Sequence, residues 1–407
     1  MQYRQFLTDA VRASLQYEAP GGWIPAAPPA CIRLHSGYPA PALVPVDHLA
    51  RTMADVLERE RDLPLQYLGS PSAARLRGCI EHLMSGRGID VSHDATLVTS
   101  GSAEAIDLIS RTCLDSASVV VVESPTYMEA LETFHNYTDQ VLCIPVDGQG
   151  LRTDLFEHLL VHRQSRQLPL PKLLYTIPSF HNPTGITLSL ERRNHLLQLA
   201  RRFRFLIVED DAYGELYFEK RPTTLKELDL EGNVLYLGSL SKVIAPGLRI
   251  GWVTGPSTLI STFDRFKKDL GHPLVEAVVA RYLALGDWNQ RMTHLRGAYR
   301  RRRDVLQGAL AQYMPGDVTW VNPEGGYFTW LHVPGVNTLS MLPRALAAGV
   351  SYVAGEHFCV NPKDGAQNLR LSFSYVDEED LVRGVQLLSD VIRATRSADG
   401  SAASGRL

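Results

Sequence analysis

Lysine is scarce in this chain. The 407 residues hold 41 Lys+Arg, and the lysines are seven: Lys172, Lys220, Lys226, Lys242, Lys267, Lys268 and Lys363. Any search for a nucleophilic amine is therefore short. Cysteine is sparse too. Cys31, Cys79, Cys113, Cys143 and Cys359 are scattered, odd in number and form no C-x-x-C pair. That argues against a disulfide framework or a zinc site and fits a reducing, cytoplasmic compartment. No charge excess exists: 41 basic residues face 44 acidic ones, for a net charge of -3. The balance leaves no electrostatic footprint for nucleic acid or an anionic membrane. No run of 18 apolar residues is present, so no membrane span is expected. The start, 1–18, carries Arg4, Asp9, Arg12 and Glu18 among apolar residues. It reads as a short amphipathic helix and not as a signal peptide.

What is there is ordinary globular material, 45% hydrophobic and 21% charged. The length suffices for two domains and a large core. After a Pro/Gly/Ala-rich arm at 19–45, short apolar runs alternate with helical stretches. The runs are 96–99, the four valines 119–122, 173–177, 205–208, 234–237 and 250–254. Helical periodicity marks 103–114 and 190–203. Strands alternating with helices indicate an α/β fold on a mainly parallel sheet. Past 270 the character changes to long helices at 275–285 and 292–314, strand candidates at 318–321, 327–332 and 369–374, and a helix at 378–392. The expected organisation is an N-terminal helix and arm (1–45) packing with a small domain, a large domain (46–270), a smaller α+β domain (271–395) and a disordered tail (396–407). The arginine run Arg296, Arg300, Arg301, Arg302 and Arg303 reads as a solvated helix face.

Ligands of such sheets sit beyond the carboxyl ends of the strands, so the loops there carry the chemistry. Ser100-Gly101-Ser102-Ala103 opens a helix and suits a phosphate, though the same residues serve as simple caps. Pro125-Thr126-Tyr127 places an aromatic where it stacks on a planar ring or packs in the core. Asn182-Pro183-Thr184-Gly185 is a turn with a strand-end amide. Glu209-Asp210-Asp211-Ala212-Tyr213 sets three carboxylates at the end of a buried strand, a cluster that usually needs a cation, with a solvated loop or a magnesium site as the simpler readings. Ser239-Leu240-Ser241-Lys242 and Pro246-Gly247-Leu248-Arg249 bring hydroxyls, a lysine and an arginine together. Lys242 is the lysine flanked by small hydroxyl residues at a strand end, and a desolvated lysine near cations forms Schiff bases. Lys220, Lys226, Lys267 and Lys268 lie in charged stretches that read as exposed.

The order S-G-S, P-T-Y, N-P-T-G, D-D-A-Y, S-L-S-K, P-G-L-R-I-G-W resembles the class I aminotransferases among the fold-type I pyridoxal phosphate enzymes, most of all the branch of 2-aminoadipate and kynurenine aminotransferases. Each motif is weak alone; six in order carry the likeness, which runs from about 32 to 392. The resemblance implies a large domain with a mainly parallel, seven-stranded-type sheet plus a smaller α+β domain. It implies pyridoxal 5′-phosphate as cofactor, and a homodimer acting on an amino acid and a 2-oxo acid. Lys242 would carry the cofactor as a Schiff base and shuttle the α-proton. Asp210 would pair with the ring nitrogen, Asn182 and Tyr213 would hydrogen-bond its 3′-oxygen, and Tyr127 would stack on it. Ser102, Ala103, Ser239, Ser241 and Arg249 would cup the phosphate, joined by Tyr67 from the neighbouring subunit. Arg370, in Asn368-Leu369-Arg370-Leu371-Ser372-Phe373, would grip the substrate α-carboxylate, with Gly37 and Tyr38 beside it. With a pyridinium as its cation, Asp210 needs no metal.

Some positions depart from the family pattern. Ser72 stands at a usual glycine, Ala117-Ser118 replaces Gly-Asp, and Glu104 stands where glutamine is common. None touches a cofactor role. They suggest a diverged member, as in specialised metabolism. The same cage also serves oxidation, γ-elimination or replacement, and carbon–carbon bond formation, and it occurs in cofactor-sensing transcription regulators. The residues before the domain here lack a basic recognition helix. Trp23, Tyr38 and Tyr352 are candidates for the side-chain pocket, with core or loop packing the simpler role for each.

Overall fold

The structure, a computed structural model, describes residues 3–16, 21–67 and 69–404. In chain order its strands are β1 (Ile32–Arg33), β2 (Asp94–Thr99), β3 (Val119–Ser124), β4 (Val141–Asp147), β5 (Gly150–Leu151), β6 (Pro171–Thr176), β7 (Leu206–Asp210), β8 (Val234–Ser239), β9 (Gly251–Pro256), β10 (Thr319–Trp320), β11 (Phe328–His332), β12 (Val350–Ser351), β13 (Val353–Ala354) and β14 (Asn368–Ser372). The large sheet runs β2-β9-β8-β7-β6-β3-β4-β5. Its centre, β8-β7-β6-β3-β4, is parallel, and β9 is antiparallel to both neighbours. Seven strands form the expected sheet. The eighth, β5, is a two-residue return of β4 across an Asp147–Gly150 turn, in which Gln149 N–H donates to the Asp147 carboxylate.

The valine run explains the layering. Val119, Val120, Val121 and Val122 are all buried. Side chains alternate along a strand. Val120 and Val122 join one apolar cluster with Ile106, Ile109 and Phe134, while Val121 joins another with Phe156, Leu196 and Leu199. Helices Ser102–Cys113 and Met128–His135 thus cover one face, and Thr153–Ser165 and Leu190–Phe203 the other. Each valine so buried is worth about 1.5–3 kcal/mol, which is why a sheet buried on both faces reads as a continuous apolar run. Helix Leu190–Phe203 begins where the Ser189 hydroxyl accepts from Arg192 N–H and stops at Arg204, which is left-handed.

The smaller sheet is antiparallel, in the order β10-β11-β14-β13. Separately, β1 of the N-terminal arm pairs in parallel with β12. No helix among the described residues is long and apolar enough to cross a membrane.

Four expectations need correction. The single helix over 1–18 is instead a 3-10 turn, Tyr3–Phe6, and a short helix, Asp9–Ser14; residues 17 and 18 lie outside the described ones. The last helix, Glu378–Ser404, continues through most of the segment read as a disordered tail. Arg396 anchors that extension, forking onto Asp317 at 2.9 Å to each oxygen and donating to Pro334 O. Lys226 is buried, not exposed: Asp94 and Asp229 neutralise it, at 2.6 and 3.7 Å. The arginine run is not a plain solvated face either. Arg296 binds Glu215, Arg302 donates to the carbonyls of Ser374 and Val376, and Arg303 donates to that of Pro323. Arg296, Arg302 and Arg303 thus supply donors to loop carbonyls, those of Glu215, Ser374, Val376 and Pro323.

Candidate active site

The loops following β2, β3, β6, β7 and β8 open on one side of the large sheet. With Gly37 and Arg370 they enclose a cleft of about 240 Å³. Every candidate site residue except Tyr67 lines it: Gly37, Tyr38, Ser102, Ala103, Tyr127, Asn182, Asp210, Tyr213, Ser239, Ser241, Lys242, Arg249 and Arg370. Tyr67 is 82% exposed and lies in a separate groove with Leu65, Leu270 and Pro273.

Strand alternation sorts the three carboxylates. Glu209 and Asp211 share one face and find protein partners. Glu209 accepts from Leu225 and Lys226 N–H at 2.7 and 2.8 Å and faces Arg193, and Asp211 pairs with Arg87 and Tyr236. Asp210 points the other way, into the cleft. Tyr175 Oη donates to its Oδ2 at 2.8 Å and Ala212 N–H to its Oδ1 at 3.3 Å. Burial outweighs both bonds and raises its pKa from 3.8 to about 6. A buried carboxylate raised in this way gains from a cation placed against it.

Lys242 sits in the turn after β8. Its Nζ donates to Gly37 O at 3.1 Å and lies 5.7 Å from the centre of the Tyr213 ring. Burial pushes its pKa down to about 8; Glu129 opposes that most strongly, ahead of Asp210. An amine lowered this far has a far larger neutral, nucleophilic fraction near physiological pH than an ordinary lysine. Gly37 permits the approach, since a Cβ there would stand 2.8 Å from the Phe328 ring.

Arg370, on β14, is buried, and its hydrogen-bond partners among the described residues are uncharged. Nη1 donates to Asn182 Oδ1 at 2.8 Å, Nη2 donates to His35 O at 3.0 Å, and Nε has no partner. Phe328 and Phe358 lie 4.1 and 5.1 Å from its carbon, so its plane is held by aromatic faces. Burial lowers its pKa to about 10. Such a guanidinium is poised for a bidentate carboxylate from outside the chain. Asn182 spends its oxygen on Arg370, which leaves its amide NH2 to donate.

The opposite end is built for an anion. Helix Ser102–Cys113 starts without a side-chain cap, after Gly101 at φ 87. A Cβ on Gly101 would collide with the Arg249 guanidinium at 2.8 Å. Arg249 Nη2 donates to Ser100 O, and Ser241 N–H to Ser239 Oγ. Glu104, the departure from glutamine, takes the Ser100 N–H at 2.6 Å and so firms this loop.

The donor set therefore has hydroxyls, a guanidinium and a helix start at one end, a buried carboxylate at the other and a neutralisable lysine between. It fits a ring that carries a phosphate, a basic nitrogen and an aldehyde, which is the description of pyridoxal phosphate. The cleft also holds residues that sequence reasoning passed over. Glu129 accepts a short hydrogen bond from Tyr127 Oη. His35 is bonded to Ser351 Oγ and held neutral by burial, which lowers its pKa to about 4. Phe328 backs Arg370. Of the pocket candidates, Trp23 and Tyr38 line the cleft, whereas Tyr352 is buried in the core and donates to Thr338 O.

Known proteins resemble this chain over most of its length. A profile of the aminotransferase class I and II family matches residues 30–388. Aromatic-amino-acid aminotransferase 1 of Thermococcus litoralis is 38% identical over 89% of the chain and 88% of its own length. The crystal structure of a multiple substrate aminotransferase from Thermococcus profundus superposes with a TM-score of 0.89 at 35% identity, covering 98% of this chain and 100% of that one. The α-aminoadipate aminotransferase LysN from Thermus thermophilus, complexed with N-(5'-phosphopyridoxyl)-L-leucine, superposes with a TM-score of 0.87 at 29% identity, covering 98% and 100%.

Proposed function

The chain belongs to the class I and II aminotransferases, and from that premise we propose how its own residues carry the reaction. It is a pyridoxal phosphate enzyme that moves an amino group between an amino acid and a 2-oxo acid. Pyridoxal phosphate supplies the electron sink for the pair left when the α-proton is removed. Lys242 Nζ would hold the cofactor and, once free, would accept and return the substrate α-proton. Asp210 would face the ring nitrogen and favour its protonated form, and Tyr213 and the Asn182 amide would donate to the ring oxygen. Tyr127 would stack on the ring. Ser102, Ala103, Ser239, Ser241 and Arg249 hold the phosphate. Arg370 binds the α-carboxylate, with Gly37 and Tyr38 beside it. The observation that carries this reading is the convergence of the half-buried Lys242 and the buried Asp210 and Arg370 on one cleft. In this division residues 46–270 bind the cofactor and 271–395 close over it. The five cysteines, none in a disulfide, suit the cytoplasm.

The test is a half-reaction. Holoenzyme mixed with an amino acid and no 2-oxo acid should convert one equivalent of cofactor to its amine form, release one equivalent of 2-oxo acid and stop. A 2-oxo acid should then restore the starting spectrum. Continued turnover without the second acid, or release of a side-chain leaving group, would overturn the proposal in favour of oxidation or elimination.

We place the cleft at the interface of a homodimer. Leu65 and Leu270 are each 62% exposed beside Tyr67, an apolar surface suited to a second copy. The partner's Tyr67 then reaches the phosphate. Light scattering should show a dimer. Tyr67→Phe should keep it and weaken cofactor affinity by about tenfold or more, the worth of one hydrogen bond to a charged group. A fully active monomer would refute this arrangement.

A further inference from the structure

One charged side chain of the cleft has no part in the aminotransferase roles assigned above. Among the described residues lining it, the acidic and basic side chains besides His35 are Glu129, Asp210, Lys242, Arg249 and Arg370. Asp210 faces the ring nitrogen, Lys242 the aldehyde carbon, Arg249 the phosphate and Arg370 the α-carboxylate. His35 stays neutral. Glu129 is left over. It stands in the first turn of helix Met128–His135, where any carboxylate gains from the helix dipole. That accounts for its presence in the helix but not for its direction. Its side chain turns into the cleft, tied to Tyr127 Oη, and its charge acts on both Lys242 and Arg370. Trp23 and Tyr38 line the same cleft, and Tyr38 is braced edge-on by Tyr375 at 6.1 Å. Aromatic faces beside a carboxylate favour an alkyl chain ending in a cation.

Resting on the aminotransferase reading, we infer that Glu129 selects the substrate side chain and that the preferred amino acids are basic, with an ammonium or guanidinium at the end of the chain. A side-chain carboxylate would meet Glu129 as a like charge, so acidic amino acids are disfavoured.

The test uses substrate pairs that differ only in the terminal cation: lysine against norleucine and ornithine against norvaline, with glutamate as the acidic reference. Half-reaction kcat/KM is measured on holoenzyme. Dissociation constants of α-methyl-lysine and α-methylnorleucine, which have no α-proton to lose, are measured by calorimetry. The native protein should favour the cationic member of a pair by about 10–100-fold, the range of one charge-assisted contact. Glu129→Gln should shrink that contrast below about threefold and improve glutamate, and Glu129→Asp should keep part of it. Equal losses for both members of a pair in Glu129→Gln would overturn the inference and leave Glu129 as a positioning residue for Tyr127. So would the absence of any contrast in the native protein. If no amino acid converts the cofactor, the aminotransferase reading fails instead, and the calorimetric contrast alone decides the role of Glu129.

Discussion

Lys242→Ala should fold, bind pyridoxal phosphate without a covalent bond, and lose at least about 10⁴-fold in kcat, the upper end of what a positioned general base supplies. Folding is expected to survive because the side chain makes one hydrogen bond, to Gly37 O, while its backbone carbonyl still accepts from Tyr327 Oη at 2.7 Å. Removing a buried amine also relieves a desolvation cost. Catalysis should not survive, because the other six lysines lie outside the cleft. Lys226, which is buried, is locked between Asp94 and Asp229. The check is twofold: mass spectrometry after borohydride reduction, which should find the cofactor on Lys242 of the native chain and on no residue of the variant, and single-turnover kinetics. A cofactor still attached covalently in the variant would show that another amine does the work. The lowered pKa adds a pH signature. Capture of the aldehyde by apoprotein should rise with pH and level off above about 8, where an unperturbed lysine would still be gaining at 10.

The parts of this site that could be read in advance share one property: their residue type is unusual for its local context. A lysine just after two serines at a strand end, or three carboxylates closing an apolar run, contradicts the local pattern, and functional sites are where such contradictions concentrate. Glu129 breaks no rule. An acidic residue in the first turn of a helix is commonplace, so the sequence offers no sign that it faces the cleft and not solvent; the short bond from Tyr127 reveals that. His35 and Phe328 were hidden for a different reason. They act through long-range neighbours, His35 by lending its carbonyl to Arg370 from 335 positions away, and Phe328 by lying one strand over from it. The same limit explains Lys226, since its partner Asp94 belongs to a strand far along the chain. The layering of the large sheet was legible because four valines need burial on both faces. The fate of the last helix was not, because its anchor, Arg396 on Asp317, spans 79 positions.

Asp210→Asn should weaken the non-covalent grip on the cofactor ring by about 10²–10⁴-fold at neutral pH, the range that follows from breaking a buried pair worth about 3–5 kcal/mol, and lower kcat/KM at least as far. The sharper expectation concerns protons. In the apoprotein the folded-state pKa of Asp210 is raised by burial from 3.8 to about 6. The folded form therefore holds the proton more tightly than the unfolded chain does. The stability this contributes is fully present below about pH 4 and is lost as pH rises through about 6, roughly 3 kcal/mol for a shift of about two units. A ring nitrogen that brings a positive charge restores it. Binding with an ionised Asp210 must then expel the aspartic proton below pH 6, so affinity falls about tenfold per unit there and is flat above. Pyridoxine 5′-phosphate is the right probe, because it lacks the aldehyde and keeps Lys242 out of the measurement. Its phosphate titrates in the same region, but it does so equally in both proteins, so the ratio of native to Asp210→Asn affinity isolates the carboxylate. That ratio should be large and constant above about pH 7 and should shrink steadily toward pH 5. A ratio that stays constant from pH 5 to 8 would mean that Asp210 is not the group that faces the ring nitrogen.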